Sequence, residues 1–143
     1  MDTVEIKKIP DNLNLIDSKY NLNRMILKWD NSVSAIIPLP LSPGDSSNPI
    51  RVANVTVDTS CLQNPQIKLE FSINITAPSE DIFINLTFQV FKLCNNIFQK
   101  IHVGPKFYYK KHFELQGSDI FNFFVYDDLL RSRCCTYIIE ATA

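Results

Sequence analysis

Few residues in this chain are of types that do chemistry. Its only histidines are His102 and His112, which fall on different expected strands. A cupin-type metal site needs a closely spaced histidine pair, a following carboxylate and a third histidine, and a lone histidine on a strand is usually a surface or satisfied residue, so neither is assigned as a ligand. Cys94 with His112 has the residue types of a nucleophile and its base, but no local pattern joins them. No Gly-x-Ser-x-Gly elbow occurs. The pair Asp127-Asp128 reads as a solvated turn, where aspartate commonly stabilises the backbone. With only Gly44, Gly104 and Gly117 as glycines, a phosphate-cradling loop is excluded. These readings set the expectation of no catalytic residue, no metal, no cofactor and no enzymatic activity.

The four cysteines, Cys61, Cys94, Cys134 and Cys135, lack the spacing of a structural zinc site. Neighbours on a strand point to opposite faces, so Cys134 and Cys135 cannot both enter one core. Cys135 shares parity with Tyr137, Ile139 and Ala141 and is expected inward, with Cys94 or Cys61 as partner. Cys134 is expected outward, where a thiol can bridge to another chain under oxidising conditions. Four cysteines allow three intramolecular pairings, and an all-reduced set is the default in a cytoplasm.

Lys106, Tyr108, Tyr109, Lys110, Lys111 and His112 interleave base and aromatic, as a nucleic-acid or sugar platform would. The alternative is an edge strand whose lysines discourage sheet-to-sheet pairing. A net charge of -1 and a pI near 6.1 favour the edge strand and argue against a nucleic-acid partner. No apolar run reaches the ~20 residues that span a bilayer, so no membrane partner is expected. The start, Met1 to Glu5, lacks a basic n-region followed by an apolar h-region, so synthesis in the cytoplasm without a signal peptide is expected.

The elements that would position these groups are almost all strands. In Ile67 to Thr76 and in Ile82 to Val90, apolar and polar residues alternate, giving each strand one greasy face. Joined by the turn Ala77 to Glu80, they are expected to pair as the centre of an antiparallel sheet. Further strands are expected at Ser32 to Leu39, Ile50 to Asp58, Ile97 to Val103, Phe107 to Leu115, Asp119 to Asp127 and Cys134 to Thr142. Asn95-Asn96, Gly104-Pro105 and Gln116 to Ser118 are the expected turns between them. Asp119 to Asp127 carries apolar residues on both faces, so it is either covered on both sides or meets another subunit. Eight strands with regular turn signals predict an all-β, eight-stranded, jelly-roll-like antiparallel sandwich over residues 31–143. A chain of 143 residues is long enough for one such core.

Residues 1–30 differ from the rest. Val4 and Ile6 alternate, Pro10 interrupts, and Leu22, Met25, Ile26 and Trp29 fall at the i, i+3, i+4, i+7 spacing of one helix face. Met25 to Trp29 reads equally well as an edge strand. This is an N-terminal arm, helical or extended, whose apolar stripe is expected to dock.

Ile67 to Ser72 (IKLEFS), Leu86 to Phe91 (LTFQVF) leading to Cys94, Phe121 to Asp127 (FNFFVYD) and Cys134 to Glu140 (CCTYIIE) resemble a family of small clostridial proteins of the spore surface. The resemblance runs from about Ile50 onward, and Cys-Cys-Thr-Tyr is its most specific part. By analogy with endospore appendage subunits it implies a jelly-roll building block that polymerises through an N-terminal arm and intermolecular disulfides. This arm contains no cysteine, so cross-linking would fall to the cysteines of the body. The expectation is a non-enzymatic structural subunit of a spore coat or appendage, deposited on the spore surface, with itself and other spore-surface proteins as partners. The alternative is a carbohydrate- or surface-binding module using Tyr108, Tyr109, Lys110, Lys111 and Tyr126.

Overall fold

Strand alternation organises the molecule. The computed structural model describes residues 2–5, 35–38, 42, 44–60, 66–95, 98–127 and 134–143, and among them there is no helix. The strands are β1 (Asp2–Glu5), β2 (Ile50–Asp58), β3 (Ile67–Thr76), β4 (Ile82–Cys94), β5 (Ile101–Phe113), β6 (Ser118–Asp127) and β7 (Cys134–Thr142). They form two antiparallel sheets, one ordered β1-β3-β6 and the other β2-β7-β4-β5. Ile67, Leu69, Phe71, Ile73 and Ile75 of β3 are buried, as are Ile84, Leu86, Phe88 and Val90 of β4. The two runs therefore supply facing walls of one core, as two stacked sheets require.

That arrangement corrects the expected pairing of β3 with β4, since the turn between them crosses from one sheet to the other. Each strand has a single apolar face, and placing the two strands in opposite sheets turns both faces onto the same interior. The crossing is held by Ala77 N donating to Gly117 O at 2.8 Å and Asp81 N to Glu114 O at 3.3 Å. It is thus zipped to the other crossing, the one between β5 and β6. Asp81 adopts a left-handed φ of 50°, a conformation that aspartate tolerates better than most residues.

The expected count of eight strands is also corrected. Residues 35–38 of the expected first strand carry no strand. The strands expected on either side of Gly104-Pro105 are one, because the chain bulges there and does not reverse. Phe88 pairs with Phe107 but Val90 with Val103, so Gly104, Pro105 and Lys106 stand against Gln89 alone. The Gln89 side-chain amide fills the gap, donating to Val90 O at 3.2 Å and Gly104 O at 3.4 Å. Six strands between Ile50 and Thr142 carry the sandwich, and β1 adds to the free edge of β3, with Asp2 opposite Ile73 and Glu5 opposite Glu70. The expected helix or strand near Leu22 to Trp29 lies outside the described residues.

β7 is the hub of the four-stranded sheet, paired with β2 on one side and β4 on the other. Its inward Cys135, Tyr137, Ile139 and Ala141 are buried, and so is Ile138 on its outer face. Phe123 of β6 centres the core, its ring 4.4 Å from Phe107, 5.0 Å from Phe71 and 5.8 Å from Phe88. These tilted and stacked contacts tie both sheets to one side chain.

Gly104 has a φ of +70°, and a Cβ there would lie 3.3 Å from Val125 Cβ. Gly104→Ala combines backbone strain with a tight contact, so it should lower unfolding free energy by about 1–3 kcal/mol, read by urea denaturation.

Candidate functional site

The inward row of β6 reads Asp119, Phe121, Phe123, Val125, Asp127, an apolar centre with a carboxylate at each end. Both carboxylates reach across to a tyrosine and a lysine of the opposite sheet. At one end Tyr109 OH donates to Asp119 Oδ2 at 2.9 Å and Lys111 Nζ lies 3.0 Å from the same oxygen. At the other, Lys92 Nζ lies 2.9 Å from both Oδ1 and Oδ2 of Asp127, and Tyr137 OH donates to Oδ2 at 2.6 Å.

The two ends differ in water. The side chains of Lys111 and Asp119 are 43% and 33% exposed, those of Lys92 and Asp127 7% and 6%. Lys111 and the Tyr109 hydroxyl hold the Asp119 carboxyl below its ordinary value, as hydrogen-bonded carboxylates are. Burial, then the hydrogen bond to Asp127, pushes the Tyr137 phenol well above its ordinary value. Burial and Asp119 do the same to Tyr109.

Lys92 and Tyr137 are register partners, and the next pair on the same face is Cys94 with Cys135. Those two are joined in a disulfide, with Cα atoms 4.1 Å apart. A disulfide, an ammonium, a phenol and a carboxylate therefore meet inside one end of the sandwich. An isolated buried ion pair costs about as much in desolvation as it returns in Coulomb energy, so the added tyrosine hydrogen bond matters here.

The sequence had placed Asp127 in a solvated turn; it is instead the buried end of β6. The missed signal was parity, because Asp127 continues the row Phe121, Phe123, Val125 just as Lys92 continues Phe88, Val90.

Among the expected site residues, Cys135 points inward and pairs with Cys94, while Cys134 is a free thiol of intermediate exposure. Tyr108 is 63% exposed, but Tyr109 is only 6% exposed and belongs to the Asp119 cluster, which corrects its reading as a surface residue. Lys110 is exposed, Lys111 is engaged with Asp119, and β5 is an edge strand. Val4 is the register partner of Phe71. Cys61, Ile6, Leu22, Met25, Ile26 and Trp29 lie outside the described residues. His112 Nε2 sits 2.7 Å from Asp81 Oδ1 with its ring stacked on Phe83 at 4.1 Å. His102 packs its ring 4.6 Å from Phe91. Ile120, Phe124 and Tyr126 of β6 are exposed on the outer face of the three-stranded sheet.

Fold and clusters define an all-β two-sheet protein whose sheets are tied together by paired tyrosine–aspartate–lysine groups. The chain belongs to the family described as Domain of unknown function (DUF4489), whose model matches residues 23–143. Comparison with curated proteins finds no match, and neither does comparison with solved structures.

Lys92→Met alone should destabilise the fold by about 3–5 kcal/mol, since the Asp127 carboxylate loses its ammonium. The double variant Lys92→Met with Asp127→Leu should be more stable than Lys92→Met alone in the same denaturation assay, since no charge is then left buried without its partner. A phenol with a raised folded pKa contributes its full stability below its unfolded value of 10.0. Above that pH the unfolded chain releases the proton and the folded chain does not, so stability falls. The urea midpoint should therefore drop as pH rises past about 10, and Tyr137→Phe should flatten part of that decline.

Proposed function

We propose that this protein is a non-enzymatic structural subunit of a spore coat or spore appendage, which self-assembles through its N-terminal arm, its strand edges and disulfides. One observation carries the reading. The segment Asp2–Glu5 is an added strand on the edge of β3, and residues 6–34 separate it from the described body. An edge that accepts this segment from its own chain accepts it equally from a neighbour, by the same main-chain hydrogen bonds. Such exchange is head-to-tail and gives a filament or layer unless the rotation closes.

Two further features support the reading. The outer face of β6 presents Ile120, Phe124 and Tyr126 beside an edge that no strand among the described residues pairs, and a groove of about 380 Å³ lies there against Glu70, Ser72, Asn122 and Phe124. Cys134 supplies a thiol outside the core for a bond between copies. We read the order β2-β7-β4-β5 facing β3-β6 as a jelly-roll winding short of two strands beside β6. A neighbour's strand would fill that place. The spore-surface assignment rests on the resemblance of the strand motifs and the Cys-Cys-Thr-Tyr segment.

The second reading, a carbohydrate- or surface-binding module, is favoured by the exposed pair Phe124 and Tyr126, packed edge to face at 5.7 Å with Lys68 Nζ 4.9 Å from the Phe124 ring. Tyr108 and Lys110 lie on the other sheet, so they extend no common platform.

Deleting residues 1–30 should leave a folded monomer by light scattering, and assembly that persists unchanged would refute the arm's role. Mixing a tagged Thr3→Cys chain with an untagged Ser72→Cys chain, register partners in the fold, should trap mixed dimers on oxidation. Exclusive trapping within single chains of the double variant, with no mixed dimer, would refute strand exchange. A glycan screen that finds tight binding lost in Tyr126→Ala would favour the second reading.

A further inference from the structure

The ion pair at the Asp127 end of β6 holds the reactants of an amide bond in reach of each other. Lys92 Nζ stands 2.9 Å from each oxygen of Asp127, on strands of opposite sheets. Held against both oxygens, Nζ is kept beside the Cγ that joins them, and holding two reactants together removes much of the barrier to their reaction. Water is largely excluded from both side chains. Condensation begins with one proton passing from the ammonium to the carboxylate along their hydrogen bond, which leaves an amine and a carboxylic acid. The neutral amine is a nucleophile and the neutral acid an electrophile.

We propose that Lys92 and Asp127 condense to an intramolecular isopeptide bond that staples the two sheets. This inference does not rest on the assembly reading. The steps balance without any co-reactant. Proton transfer from Nζ to Oδ1 gives up one of the two hydrogen bonds, which frees the amine to leave the carboxyl plane. Nζ then attacks Cγ, and the charge that develops falls on Oδ2. Tyr137 OH, 2.6 Å away, donates to that oxygen and stabilises the tetrahedral intermediate. A second proton passes from Nζ to Oδ1, the Cγ–Oδ1 bond breaks, and Oδ1 departs as water. The C–N bond formed replaces the C–O bond lost, and no atom changes oxidation state. Two buried charges become one neutral amide, and the reverse reaction needs a water readmitted to the core.

The opposite end of β6 serves as an internal comparison. Lys111, Asp119 and Tyr109 repeat the same three residue types, but Lys111 and Asp119 are accessible to solvent and remain an ion pair. One water is therefore lost from the chain, not two.

The test is the intact mass of the reduced, denatured full chain after incubation in the folded state. Wild type should be lighter than its sequence by one water, and a digest should contain a branched peptide joining the fragments that hold Lys92 and Asp127. Lys92→Arg should have its full sequence mass, because a guanidinium stays protonated and does not acylate. Tyr137→Phe should form the link about 100-fold more slowly, the effect of losing one oxyanion donor. The wild-type digest decides the matter whether or not a variant folds. Wild type at full sequence mass, or a water loss that maps elsewhere in the chain, would overturn the proposal. An unchanged rate in Tyr137→Phe would remove the tyrosine from it.

Discussion

The structure depends on a single inward row of side chains, that of β6. Its middle residues are apolar and fill the space between the sheets, while Asp119 and Asp127 close the two ends by reaching tyrosine and lysine on the opposite sheet. Hydrophobic contact alone fixes that two sheets stack, but it leaves their mutual sliding weakly determined. Two polar clasps set at the ends of one strand fix the position along that strand. The pairs are unequal because one sits in water and the other does not, so the same residue types carry different energies. At the Asp119 end the bond is screened and exchangeable. At the Asp127 end it is shielded and stands next to the Cys94–Cys135 disulfide, so polar and covalent constraints coincide there.

How much of this was legible in the sequence depended on whether the signal was local. The alternation in β3 and β4 named their buried residues correctly, because period two is a property of the strand itself. Which strand pairs with which is not local, and the turn at Ala77 to Glu80 looks the same whether it closes a hairpin or crosses between sheets. Gly104-Pro105 misled for a related reason. A positive-φ glycine serves a bulge as well as a turn, and only Gln89 on another strand decides between them. Tyr109 and Asp127 were read from their neighbours, Lys110 and Asp128, when parity along the strand was the better guide. The inward place of Cys135 followed from parity and is what the structure has, with Cys94 chosen from the two partners left open.

The two sheets also treat their edges differently. β5 carries Pro105, Lys106 and Lys110 along an edge that is free among the described residues, with a bulge in the middle, a combination that discourages another strand from joining. The edge of β3 is taken by β1, and the edge of β6 borders an exposed apolar face. The two sheets therefore differ in how open their edges are to a further strand.

The place of β7 has a consequence for synthesis. Because it lies between β2 and β4, the strand made first in that sheet has no partner among the described strands until the strand made last in it has left the ribosome. The hairpin β4–β5 forms early from neighbouring sequence, but β2 waits through the whole intervening chain, a long loop to close before any bond rewards it. A nascent chain is therefore kept from becoming a finished particle, and from offering finished edges to others, until translation has passed its final sheet strand.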